Sequence, residues 1–226
     1  MKEQIQQYPL TFILIITNSV VYLFSAYQSH NFADMQIEIL VHLGALYGPY
    51  VLGEDEWWRL FTAMFLHGGM THLLMNMFSL YIVGRGAEIY FERKSYISIY
   101  LFSGLIGGMV SLYMHPHSVG VGASGAIFGI FGALAGFFMA HRDKIATHAQ
   151  SFMKDFSIII GLNLVIGFSI PSVDVSAHIG GLMIGVFGGF ILAKNPKFLL
   201  FYSVTMIALT ILLGRFLLGE YVSSLV

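Results

Sequence analysis

Three stretches hold residues whose types and spacing suit hydrolytic chemistry. Ser124 lies in Gly120-Val-Gly122-Ala-Ser124-Gly125-Ala-Ile-Phe128-Gly129, at the mouth of a long apolar run. His67, His72 and Asn76 lie in Leu66-His67-Gly-Gly-Met-Thr-His72-Leu-Leu-Met-Asn76, and His178 lies in Ala177-His178-Ile-Gly-Gly181-Leu-Met-Ile-Gly185. A serine hydroxyl attacks a carbonyl when a base takes its proton and nearby donors hold the oxyanion that forms. Gly122 and Gly125 beside it would let a substrate backbone come close. The elbow of soluble hydrolases needs a strand before the serine and glycine two residues after it. Here Ala126 holds that place and His115-Pro-His117-Ser118 reads as loop, so that fold is excluded. On this stretch alone a small-residue helix-packing segment fits better than a nucleophile, because glycine and serine are common at membrane helix contacts.

His72 and Asn76, four apart, share one helical face, while His67 points elsewhere or lies in the preceding loop. Polar side chains at membrane depth are costly and face protein or a water-filled cavity. Interhelical hydrogen bonding and a catalytic role explain this pair equally well. Glu88 and Arg93 read as interfacial charge closing the second span. His115 and His117 flank a proline in an outer turn without further metal ligands, and His141 and His148 read as solvated.

The elements that must position these residues are membrane spans. Of 226 residues, 57% are hydrophobic and 10% charged, far outside the range of a soluble domain. The net charge of -1 implies no nucleic-acid surface, and the absence of cysteine excludes disulfides, thiol catalysis and cysteine metal sites. With about 20 apolar residues per span, seven are expected: Leu10 to Tyr27, Thr71 to Tyr90, Tyr96 to Met114, Ser124 to His141, Phe152 to Ile170, Val175 to Ala193 and Phe198 to Leu218. The first lacks a small-x-small cleavage site and reads as a retained span rather than a signal peptide. With the N-terminus inside, the inner segments carry nine basic residues and the outer ones only Arg59 and Arg215, which sets the even-numbered spans running from outside to inside. The loop from Gln28 to Arg59 reads as an interfacial lid, with Trp57-Trp58-Arg59 as interface anchors.

Gly125, Gly129, Gly132 and Gly136 stripe the fourth span, and Gly181, Gly185 and Gly189 share the face of His178 on the sixth. Such stripes permit close backbone approach. Ser124, His178 and the His72/Asn76 pair each lie near the start of an even-numbered span, so the topology brings them to one side, where Ser124 and His178 can meet.

In combination these residues resemble the rhomboid family of intramembrane serine proteases, from Trp57 to Gly185. The family's tryptophan-arginine pair is similar to Trp58-Arg59, its His-x4-His-x3-Asn motif to His67, His72 and Asn76, its G-x-S-G to Gly122 through Gly125, and its A-H-x-x-G-x-x-x-G to Ala177 through Gly185. Glu88 resembles the family's glutamate on the second span. The resemblance implies a single all-α polytopic membrane domain, with a six-helix core over about residues 10–193 and a seventh, C-terminal helix. It implies Ser124 as nucleophile and His178 as base without a carboxylate. His72, Asn76 and the Ser124 N–H become oxyanion donors, with Arg59, His67, Glu88, Gly122, Gly125, Gly181 and Gly185 in support. Phe128 stands where many bacterial relatives have a tyrosine stacked on the base; it keeps the ring and lacks the hydroxyl.

The reading is therefore a peptidase acting on transmembrane protein substrates within the lipid bilayer, near its outer face. It needs neither metal nor cofactor and has no nucleic-acid partner. The location expected is a bacterial plasma membrane, with the N-terminus cytoplasmic and the C-terminus outside. Two alternatives stay open: an inactive rhomboid-like protein that binds membrane clients, although such proteins usually lack the serine or histidine, and a transporter with His72, Asn76 and His178 along its path, although no repeated halves are seen. There is no H-E-x-x-H zinc motif and no acidic residue within a span core for an aspartyl pair.

Overall fold

A chain in lipid must satisfy its backbone N–H and C=O groups internally, which leaves the helix as the natural element for these apolar runs. A computed structural model describes residues 2–144, 161 and 173–224. In chain order the helices are α1 (Lys2–Gln7), α2 (Pro9–Ser29), α3 (Ile37–His42), α4 (Arg59–Thr62), α5 (Met70–Tyr90), α6 (Arg93–Met114), α7 (Ser124–Ala140), α8 (Val175–Lys194) and α9 (Leu199–Ser224). Among the described residues the extended pairing is confined to isolated bridges, Asp34 with Gly69 and Leu46 with Gly120. Six of the seven expected spans correspond to α2, α5, α6, α7, α8 and α9. The fifth, Phe152 to Ile170, lies outside the described residues.

Helices α2, α6, α8 and the segment Pro196–Ser223 are each long and apolar enough to cross a membrane, and α7 is a shorter apolar helix of 17 residues. The protein is an all-helical, multi-pass integral membrane protein. Helix α5, carrying His72, Asn76, Arg85 and Glu88, is not in the apolar set, since its polar residues are spread along its whole length.

Helices α7 and α8 form the centre of the packing. A Cβ at Gly181 would collide with the carbonyl of Gly125, one at Gly185 with that of Gly129, and one at Gly189 with that of Ala133. The contacts advance by four residues on both helices, so the two run parallel. From the other side, Gly132 and Gly136 lie against the carbonyls of Leu182 and Val186. Lipid supplies no hydrophobic force between helices, so this approach is stabilised by dispersion and Cα–H···O contacts, which need bare backbone on at least one partner. Helix α6 closes the third side, where a Cβ on Gly107 would sit 2.7 Å from the Ala177 carbonyl oxygen.

Glu88 does more than close its own helix. Its carboxylate accepts hydrogen bonds from the Leu10 N–H at 3.0 Å and the Thr11 N–H at 2.8 Å. Tyr8, at the N-cap of α2, makes no side-chain cap bond, so a residue on α5 satisfies the orphan donors of α2 and joins the two helices.

The seam predicts that Gly185→Ala and Gly189→Ala each destabilise the protein by about 1–3 kcal/mol, the usual penalty for forcing an extra methyl into packed surroundings. Gly219→Ala, which meets nothing within 4 Å, should leave the melting temperature in detergent unchanged. Equal melting temperatures for all three variants would show that the seam is not close-packed.

Candidate active site

Ser124 is the first residue of α7 and is half-buried. As a first helical residue it has an N–H without an intrahelical acceptor. The loop before it is held by backbone pairing rather than by side chains. Leu46 and Gly120 exchange hydrogen bonds of 2.9 and 2.8 Å, the Gly48 N–H donates to the Pro116 carbonyl at 3.0 Å, and the Gly122 N–H donates to the Ala63 carbonyl at 2.9 Å. Gly122 has φ +126°, which side-chain-bearing residues rarely adopt, and a Cβ there would lie 2.8 Å from His72 Nε2. The loop thus passes directly over His72, two residues before the serine.

His178 lies in the first turn of α8 and is 6% exposed. The residue before it, Ala177, presents its carbonyl oxygen 3.4 Å from where a Cβ on Gly125 would stand. Since Gly125 follows Ser124 and Ala177 precedes His178, this contact brings together the first turns that carry these two residues. The His178 imidazole is stacked flat on Phe128, with centroids 4.3 Å apart and planes at 9°. Its Nδ1 is buried without a hydrogen-bond partner. Among the described residues no carboxylate therefore hydrogen-bonds to that nitrogen; Phe128 and the placement of α8 set the ring.

His72 and Asn76 face the same space from α5. Asn76 Nδ2 lies 3.8 Å from the position of a Cβ on Gly122 and donates to the His72 carbonyl at 3.1 Å. One amide proton is spent on its own helix and the second is left for another acceptor. His67 lies in the loop before α5, fully buried, and its ring meets that of His72 edge-on at 5.1 Å.

The depth of the cluster follows from the opposite helix ends. Tyr90 of α5 packs on Phe137 of α7, with ring centroids 4.4 Å apart, so the C-terminal ends of these helices are level. Counting back equally from that contact, Ser124 is level with Met77, next to Asn76. Helix α5 continues upward to Met70, which sets Ser124 about 10 Å below that end at 1.5 Å per residue.

Two supporting residues stand apart from the cluster. Glu88 sits near the other end of α5, at the start of α2. Arg59 is not an exposed interface anchor. It is 5% exposed, donates to the carbonyls of Val41 at 2.6 Å and Ala45 at 3.1 Å, pairs with Glu56 at 2.6 Å, and lies over the Tyr50 and Trp58 rings. Ala45 immediately precedes Leu46, the residue that grips the serine loop. The 28–59 loop is therefore scaffold as well as cover, and Leu46, Gly48 and Ala63 support the site through backbone groups that carry no side-chain signature. His115 and His117 are exposed, while His141 is half-buried with its Nδ1 3.0 Å from the Phe137 carbonyl; His148 lies outside the described residues.

Residues 54–195 match the family model of the rhomboid domain. The chain belongs to the rhomboid family. Among curated relatives it is 38% identical to "RHOMBOID-like protein 6, mitochondrial" of Arabidopsis thaliana, over 77% of this chain and 56% of that one. It is 40% identical to "RHOMBOID-like protein 5" of the same plant, over 72% of this chain and 52% of that one. It is also 36% identical to "Rhomboid protease GluP" of Bacillus subtilis (strain 168), over 74% of this chain and 33% of that one. This rhomboid thus matches about half the length of the two plant proteins and a third of GluP.

The stacking of His178 on Phe128 makes a test of ring placement in this rhomboid. Phe128→Tyr should retain the rate of any reaction that uses His178, whereas Phe128→Ala should lower it by about 10- to 100-fold, since small misplacements of reacting groups are costly. The check is the rate at which a fluorophosphonate labels each variant. Equal rates for alanine and tyrosine would show that the stack does not position the histidine.

Proposed function

We propose that this rhomboid is an intramembrane serine protease that hydrolyses peptide bonds of transmembrane substrates. The observation that supports the reading is the contact of Gly125 with Ala177, the neighbours of Ser124 and His178, at the start of two parallel helices. Ser124 acts as nucleophile and His178 as general base, which then passes the proton to the leaving amine. The acyl-enzyme is released by water. The Ser124 N–H, His72 and the free proton of the Asn76 amide serve as donors to the oxyanion, and the N-terminus of α7 favours the negative charge that develops there.

Membership of the rhomboid family and similarity to a protein named as a rhomboid protease support this assignment. The recessed position of Ser124 below the end of α5 suits a substrate bond reached within the bilayer. For orientation, the nine-to-two bias of basic residues supports an inner N-terminus and an active-site end toward the outer face.

Fluorophosphonate labelling of the purified protein, with the adduct mapped, is the direct test, and the expected site is Ser124. Ser124→Ala and His178→Ala should each abolish cleavage of a model transmembrane substrate without loss of folding. Cleavage retained by either variant sinks the dyad. His72→Ala and Asn76→Ala should lower turnover about 10²- to 10³-fold, the usual effect of removing one oxyanion donor while others remain. If both cleave at the unmodified rate, the pair serves only to join helices.

A further inference from the structure

Asp174 immediately precedes α8 and stands four residues before His178. Its carboxylate accepts hydrogen bonds from the Ser176 N–H at 3.0 Å, the Ala177 N–H at 3.2 Å and the Ser176 hydroxyl. Ser111, near the end of α6, and His115 lie close enough to act on the carboxylate electrostatically. Tyr8, Gly69, Glu92 and Ala123, at the N-caps of α2, α5, α6 and α7, make no such side-chain bond. The histidine helix is therefore capped in its own right, at the turn where Ala177 packs on Gly107 of α6.

That tie falls where His178 most needs it. Nδ1 of His178 has no partner, so no hydrogen bond to that atom orients the base. One ring face is set by Phe128 on α7. What remains to be set is the height and angle of the first turn of α8, and that turn is the one Asp174 holds. We propose that Asp174 is a positioning residue for the general base: by capping the first turn of α8, where Ala177 packs on Gly107 of α6, it holds His178 at Ser124. The proposal rests on the Ser124–His178 dyad proposed above. Asp174 makes no hydrogen bond to the imidazole, although its charge acts on it across the first turn. Burial by itself would raise the Asp174 pKa, but the hydrogen bonds from Ser176 and Ala177, together with Ser111 and His115 nearby, outweigh it and hold the group below the ordinary carboxylate value. It is thus ionised at neutral pH, the form that accepts all of these bonds and interacts favourably with a helix N-terminus.

The test compares Asp174→Ala, Asp174→Asn, Asp174→Ser and Ser111→Ala with the unmodified chain in detergent. Three quantities are read: kcat and KM for a transmembrane model substrate, the rate of fluorophosphonate labelling, and the melting temperature. Asp174→Ala should lower kcat and the labelling rate by about 10- to 100-fold at unchanged KM, the scale set by small displacements of reacting groups. Asparagine and serine keep a capping acceptor, and should restore most of both rates. Ser111→Ala leaves the cap and removes the polar neighbour of the carboxylate on α6, so it should give a smaller loss of kcat and keep the proposal testable if the alanine variant does not fold. A lower melting temperature with kcat unchanged, or folded asparagine and serine variants as slow as alanine, overturns the positioning role. An unmodified chain that neither labels nor cleaves overturns the dyad instead, which separates the two failures.

Discussion

The backbone contact between α7 and α8 is the constraint on which the site depends. Gly125 lies on Ala177, and the Gly181, Gly185 and Gly189 positions are filled by carbonyl groups of α7. Any side chain at these points would hold the helices apart by roughly its own depth, and the residues at their first turns would separate with them. Within lipid nothing apolar drives the helices together, so the contact rests on complementary surfaces at short range. The same surface that joins two helices also brings together the first turns that carry Ser124 and His178.

A second level of control comes from outside the helices. Arg59 holds the carbonyls of Val41 and Ala45, and the next residue, Leu46, pairs with Gly120 of the serine loop. A guanidinium presents several donors in a fixed plane, which suits it to gather carbonyls that a helix or sheet does not satisfy. From Leu46 the geometry passes to Gly122, whose left-handed backbone leads the chain over His72 and into Ser124. The 28–59 loop also bonds to the segment around His67, through Met35 to Gly68 and Met70 to Ala33. Cover and catalytic geometry are therefore built from one piece of chain.

Helix ends show a related division of labour. In α2 the first N–H groups are satisfied by Glu88 from α5, and in α8 by Asp174 next to the helix itself. Each carboxylate is an acceptor matched to the positive end of a helix, and Glu88 also links two helices, because it stands on α5 and its partners on α2. Two of the few charged residues in this largely apolar chain thus stand where the backbone runs out of internal partners.

The sequence by itself determined the class of the protein. Its apolar runs, the glycine periodicity of the fourth and sixth spans, and the motifs around His72, Ser124 and His178 pointed to a helical membrane protein of the rhomboid family, because local hydrophobicity and residue spacing are properties of the chain alone. The stacking of Phe128 was implied by the family resemblance, in which an aromatic ring four residues after the serine lies on the base. What only the tertiary structure decided is which groups meet across elements. Nothing in the spacing of Glu88 shows that it caps α2, nothing around Trp57-Trp58-Arg59 shows that Arg59 is buried against carbonyls rather than spread at the interface, and Asp174 has no motif to distinguish it from any other loop aspartate. Leu46, Gly48 and Ala63 act through peptide groups that every residue possesses. Such roles depend on where the folded chain leaves a donor or acceptor without a partner, and that is settled only when distant segments pack together.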